Sequence, residues 1–217
     1  MASLSHWLTP AAPLVLAALV GATSLQGLPA TTAPAGELPA ATLEEIHADP
    51  AGWLGRRARL VFQLQGPLAA WNPGMTRFGA ADYAAVRAWA DGQRLWEPNA
   101  YEQPLAILFM RRGGPAQALL DGAAPYARFE AHAYVRQALF DRPWIEIERL
   151  TPLPHAWNDG ALVHAGRAAH LMEAGEWALA SEDLTRALAC ELPEHVRSEL
   201  ERLRERCLAS QAERRPR

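Results

Sequence analysis

The chain contains no lysine: all 21 of its basic residues are arginine. Anion recognition by bidentate guanidinium groups would need those arginines clustered. They are scattered, and with so much Ala, Pro and Gly they read as compositional bias. No excess of one charge is present either. The net charge is −3, so no global positive field draws in nucleic acid. Cysteine is nearly absent. Cys190 and Cys207 fall outside any metal-ligand spacing, which gives no reason to expect a metal. The seven histidines form no H-E-x-x-H and no i, i+4 pair. Nor is there a G-x-S-x-G, a phosphate-binding loop or a G-x-G-x-x-G. No cofactor is implied, and nothing marks an enzyme.

What is present begins with a long apolar run. Trp7 to Leu28 carries no charge, and Pro13 to Ala22 is its most apolar part. A run of about 10–15 apolar residues followed by small residues fits a signal peptide. The whole stretch also approaches the roughly 20 residues that span a bilayer. Residues 1–28 are therefore expected to be a signal peptide, with cleavage after Ala22, Ala30 or Ala35, or an uncleaved apolar anchor helix. No cysteine follows the run, which excludes a lipid-anchored lipoprotein. The Pro/Thr/Ala/Gly segment at 29–41 reads as a linker. The chain beyond it is expected outside the cytoplasm, in the periplasm or at the cell surface of the envelope, free or tethered by one transmembrane helix.

From Thr42 the pattern changes. Thr42 and Glu45 make a capping box for a short helix at Leu43–His47. Between Arg57 and Gln65, Leu60, Phe62 and Leu64 alternate with Arg59, Val61 and Gln63, the period of a half-buried strand. Leu105–Met110 is continuously apolar, as in a strand buried on both faces. Pro115 then opens a short helix. Phe129, Ala131, Ala133 and Val135 alternate with polar neighbours. Asp141–Pro143 turns into Trp144–Leu150, with Ile145 and Ile147 on the inner face and Glu146 and Glu148 outside. Tyr83–Trp89 is ambiguous: it alternates as a strand, or it forms a helix capped by Asp82. Closing a barrel favours the strand.

Strand, strand, short helix and a two-stranded hairpin is the closing order of the OB-fold, a five-stranded barrel. Residues 42–154 resemble that family in element order and pattern. The resemblance implies an α+β chain, and it draws attention to the long loop at 66–79, since the matching loop borders the family's ligand face. Trp71, Arg77, Phe78, Trp89 and Trp96 are the candidate ligand-binding residues, an aromatic platform for sugars or bases; their alternative role is packing. Leu43–Leu153 holds twelve arginines against twelve acidic residues, which argues against single-stranded nucleic acid.

From Asn158 to Ala209 the period is helical. Helices are expected at Ala161–Ala174, at Glu176–Cys190 and from Pro193 to about Ala209, with a polar disordered tail at 210–217. Ala168, Leu171, Gly175, Trp177, Ala180, Leu184, Ala187 and Pro193 resemble a tetratricopeptide repeat, in which small residues let two helices approach. One repeat cannot bury its own apolar face. The hairpin must rest on the barrel, on a second copy or on another protein. Antiparallel helices around Pro193 hold Cys190 and Cys207 about 20 Å apart, too far to bridge; two free thiols follow.

The fold class expected is therefore α+β: a small five-stranded OB-like barrel, then a tetratricopeptide-like α-helical hairpin, with an N-terminal apolar helix. The leading function is non-catalytic binding or scaffolding through contacts with another protein or a second copy. Its rivals are a glycan-binding module, and a hydrolase built on Glu146 and Glu148.

Overall fold

A computed structural model describes residues 37–213. The apolar run at 1–28 and the linker to residue 36 lie outside the described residues. Among the described residues no helix is long and apolar enough to cross a membrane.

Short helices α1 (Leu43–Ala48) and α2 (Pro50–Trp53) precede β1 (Arg57–Leu68). Both halves of the Thr42–Glu45 capping box are made. The order continues with β2 (Tyr83–Ala90), α3 (Pro98–Glu102), β3 (Ala106–Arg111), α4 (Pro115–Asp121), β4 (Arg128–Leu139) and β5 (Arg142–Leu153). The strands close into a barrel in the order β1-β2-β3-β5-β4, with β4 returning to β1 and β3 parallel to β5. The ambiguous segment is thus a strand: Val86 pairs with Leu108 on β3 and with Pro67 on β1.

Side-chain alternation fills the barrel. Leu60, Phe62, Leu64, Val86, Ala88, Leu108, Phe129, Ala131, Ala133 and Ile145 are all buried in one core. A bulge where His132 pairs with Arg149 and Ala133 with Ile147 leaves Glu148 unpaired, so Leu150 returns to the inside three residues after Ile147. Residues 39–41, expected as the end of a loose linker, instead lie along β1. Arg59 N donates to Pro39 O at 2.8 Å and Ala41 N to Arg59 O at 2.9 Å. The pairing covers the part of β1 that β2 does not reach, an edge that would otherwise stand open.

Three helices follow: α5 (Asp159–Glu173), α6 (Trp177–Leu188) and α7 (Glu194–Glu213). α5 packs on α6 and α6 on α7, and the short connections make neighbours antiparallel. Gly175, at φ 75°, makes the turn between α5 and α6. α7 runs further than the polar composition suggested. Residues 210–213, expected in the disordered tail, extend the helix, and Gln211 Nε2 donates to Trp177 O at 2.9 Å. Residues 214–217 lie outside the described residues.

The hairpin rests on the barrel. Trp89, Leu95, Trp96 and Tyr126 from the barrel share one core with Trp157 and with Ala161, Ala165, Leu184 and Leu200 of the helices. Residues 37–213 belong to one compact unit.

Both cysteines are free: Cys190 is half-buried and Cys207 is buried in α7. Burial also pushes the Cys207 thiol upward, away from the reactive thiolate. Maleimide is expected to label one thiol per native chain and two after denaturation. Two rapidly labelled native thiols would contradict the packing of α7.

His47, half-buried at the end of α1, is held below the ordinary imidazole value of 6.5 by desolvation and then by the Arg142 charge. The unfolded chain therefore takes up this proton at a higher pH than the folded chain. Stability contributed by neutral His47 is lost as pH falls below about 6.5. His47→Gln is expected to lose less stability than the wild type between pH 7.5 and pH 5.5 in urea titrations. Equal losses would show that His47 does not carry this dependence.

Candidate binding site at the barrel–helix junction

The residues singled out from the sequence divide into two places. Phe78 is buried and Trp71 half-buried over the outer face of β2 and β3. There Phe78 stacks on Phe109 at 4.3 Å, and Trp71 meets Phe109 edge-on at 5.4 Å. Trp71 Nε1 donates to Phe78 O at 2.7 Å, which ties the loop to itself. The rings of this loop therefore pack against the outer face of the barrel, with Tyr83, Ala85 and Phe109. Arg77 is exposed, and its backbone N–H donates to Gln137 on β4 at 3.2 Å. Trp89 and Trp96 belong to the other place, the junction with the helices, and do not join Trp71 and Phe78 in one platform.

Glu146 and Glu148 are each engaged by arginine. Glu146 is buried beneath Arg136 and Arg111, with Arg111 at 3.5 Å. Glu148 takes both nitrogens of a fork from Arg57, at 2.8 and 2.9 Å. Arg57 and Arg136 both lie over the ring of Tyr134, at 4.6 and 4.5 Å from its centre. These contacts spread cationic and anionic charge across the outer barrel wall, and each carboxylate already has a fixed guanidinium partner. Such an arrangement suits cross-strand support, which alternation of charge along β4 and β5 encodes.

The repeat-like residues come together between helices. Ala168, Ala180, Leu184 and Ala187 are fully buried, Pro193 is buried, and Leu171 and Trp177 pack against them. Beside them lies a polar cluster that sequence periodicity did not suggest. Asp183 is buried on α6 and accepts from His164 Nδ1 at 2.9 Å and from Arg186 at 3.2 Å; Arg167 lies at 3.6 Å. Aspartate orients the imidazole, but among the described residues no hydroxyl or thiol hydrogen-bonds to His164. The cluster bolts α5 to α6. Among the described residues no group of three or more His, Cys, Asp or Glu could hold a metal.

The junction itself is built by the β2–β3 connection. Asp91, just after β2, takes a two-pronged hydrogen bond from Arg128 at 2.7 and 2.8 Å. Its carbonyl receives Gln63 Nε2 at 3.0 Å and lies 2.9 Å from His195 Nε2 at the start of α7. One residue thus joins β1, β4 and α7. Trp96 packs against Trp157 at 5.5 Å. Gly166 on α5 faces this connection, where a Cβ would make ordinary van der Waals contact with Trp96 O, at 3.5 Å.

Between this connection and the helices opens a groove of about 330 Å³. Trp96, Met172, Trp177 and Leu203 supply apolar walls, and the small side chains of Ala165 and Ala169 leave room beside α5. Charged residues stand at its edges. Arg94 is held by Glu199 at 2.7 Å and by Glu97 at 3.3 Å. The lining also includes Glu173 and Arg206. Of these residues the sequence pointed to Trp96 for ligand contact and to Trp177 and Leu184 for packing. It gave no signal for Met172, Leu203 or Arg94, because ordinary helical periodicity explains the first two and a loop arginine has no pattern.

Comparison with protein-family models, with curated proteins and with solved structures finds no significant match in any of the three.

Proposed function

We propose that this chain is a non-catalytic, exported or membrane-anchored binding and scaffolding protein, which holds a short segment of another protein in the junction groove. The observation that carries the reading is the groove: apolar walls from Trp96, Met172, Trp177 and Leu203 with charged groups at its edges. A few polar groups around an apolar cleft fix a ligand's orientation. About 330 Å³ is at the low end for such clefts, which suits one or two large apolar side chains of a peptide. Strand order and the helix between β3 and β4 support reading the barrel as OB-like. The close packing of Ala168, Ala180 and Ala187 supports reading the hairpin as tetratricopeptide-like. The apolar run at 13–22 supports export or anchoring.

A peptide library with paired leucine or aromatic side chains, titrated against the full chain and read by tryptophan fluorescence, tests this reading. Saturable binding is expected for a subset of peptides. Ala169→Arg, at a half-buried groove position on α5, is expected to abolish that binding without changing the thermal midpoint by more than a few degrees. Peptides that bind the variant and the wild type equally would remove the groove from the account. A response to cell-wall oligosaccharides in place of peptides would favour the glycan reading.

A further inference from the structure

Trp96 also lines a second cavity, of about 380 Å³, and its chemistry differs from that of the groove. Three aromatic residues, Trp96, Tyr101 and Tyr126, line it together with two carboxylates, Glu102 and Asp159. No basic residue is among the lining residues. Both carboxylates are exposed, and neither makes an ion pair with a cationic side chain among the described residues. Here the two carboxylates stand beside aromatic rings, with Asp159 close enough to act on the Tyr126 hydroxyl.

The rings are fixed in advance. Tyr126 stacks on Trp89 at 5.6 Å with an interplanar angle of 11°, and Tyr101 lies against the same indole at 5.4 Å. Trp89 Nε1 donates to Tyr101 O at 3.1 Å, and the two tyrosine hydroxyls are 3.0 Å apart. Tyr126 adopts φ 67°, a left-handed conformation uncommon for a bulky side chain. Its backbone is held there by a 2.7 Å hydrogen bond to Leu64 O. Backbone strain of this kind persists only where its surroundings impose it, and it gathers at binding sites. Burial, then Tyr101 and then Asp159 push the Tyr126 hydroxyl upward, so it stays protonated and neutral. The formal negative charge of the cavity therefore comes from its two carboxylates.

We infer that the Trp96–Tyr101–Tyr126 cavity is a binding site for a small quaternary ammonium solute, with Asp159 and Glu102 supplying the counter-charge. Aromatic faces attract a cation within about 6 Å of the ring centre. An alkylated ammonium suits an apolar cavity better than a primary ammonium, because it has no N–H groups to leave unsatisfied and holds its water weakly. This inference is independent of peptide binding, since the peptide groove is lined by other residues apart from Trp96.

Equilibrium dialysis of the full chain against labelled tetramethylammonium tests it. Saturable binding at one site per chain is expected, and choline should displace the label. The neutral isostere 3,3-dimethylbutan-1-ol should compete at least about tenfold more weakly, the effect of removing a cation–π and charge contribution of ordinary size. Tyr101→Ala, at a 40% exposed position, should weaken binding by about tenfold or more. Asp159→Asn and Glu102→Gln, both at exposed positions, should each weaken it several-fold, with circular dichroism unchanged. Ala169→Arg in the neighbouring groove should leave it unchanged. Equal competition by the alcohol would overturn the assignment, as would binding unaffected by all three cavity variants or no saturable binding at all. Retention on phosphatidylcholine vesicles without binding of the free cation would assign the site to a lipid headgroup and overturn the solute reading.

Discussion

Trp89→Ala is expected to destabilise the protein by about 3–5 kcal/mol, the range for truncating a buried tryptophan. In a chain of this size that lowers the thermal midpoint by roughly 6–20 °C. Trp89 is 1% exposed, on the outer face of β2. It stacks with Tyr126, leans on Tyr101 and donates its indole N–H to the Tyr101 carbonyl. Its removal therefore leaves a large void, strands a carbonyl and loosens the rings of the cavity at once. Because it belongs to the core that the barrel shares with the helices, strand and helix signals should be lost in one transition at the lower temperature. A loss below about 1 kcal/mol, or two separated transitions, would mean that barrel and helices do not share this core.

The second large effect concerns α7. Leu200 is fully buried, in register with Val196 and Cys207 on one face of the helix. Leu→Ala at such a site costs about 2–5 kcal/mol. Leu200→Asp adds a carboxylate that has no partner there, so the total is expected to exceed about 3 kcal/mol. The buried carboxylate should open the α6–α7 contact locally in the native state, ahead of the single cooperative melt. Its signature is chemical: Cys207, protected in the wild type, becomes labelled by maleimide under native conditions. Continued protection of Cys207 in a folded Leu200→Asp variant would contradict the seating of α7.

How far these features could be read from residues depends on the kind of pattern that encodes them. Alternation is local, so Leu60–Leu64, Phe129–Val135 and Ile145–Ile147 announced their strands and inner faces directly. Capping by Thr42 and Glu45 is local as well. Phe109 was legible only as half of a pattern. A continuous apolar strand says that both faces are covered, but not that Trp71 and Phe78 from the β1–β2 loop do the covering. The platform expected from Trp71, Phe78, Trp89 and Trp96 divides for the same reason. Sequence proximity put four aromatics in one region, while the length of β2 separates them: Trp71 and Phe78 pack near Tyr83 and Ala85 at one end of its outer face, and Trp89 and Trp96 join the helices at the other.

The bulge at Glu148 and the burial of Glu146 were hidden by alternation itself, which places both glutamates on an outer face without saying what lies above. Arg111 and Arg136 come from β3 and β4, neighbours that only barrel closure brings to β5. The final turn of α7 was hidden by composition: residues 210–213 are polar enough for a tail, yet Gln211 is tied to the Trp177 carbonyl. Tyr126 carried no signal at all, since a left-handed backbone at an aromatic residue violates local preference. That violation lies at the cavity we assign to a cation. The incomplete repeat, by contrast, was informative through what it lacked. A hairpin that cannot bury itself needs a surface, and the β2–β3 connection provides one.

Docking of the helices on the β2–β3 connection joins the two parts of the molecule. Nuclear Overhauser contacts between the indole rings of Trp96 and Trp157 in the full chain measure it directly, because the ring centres lie 5.5 Å apart across the junction. Strong cross-peaks between the two rings, and from Trp96 to Ala165 and Met172, are the predicted result. A Trp96 ring that shows contacts only within its own connection would contradict the junction, and with it both binding sites.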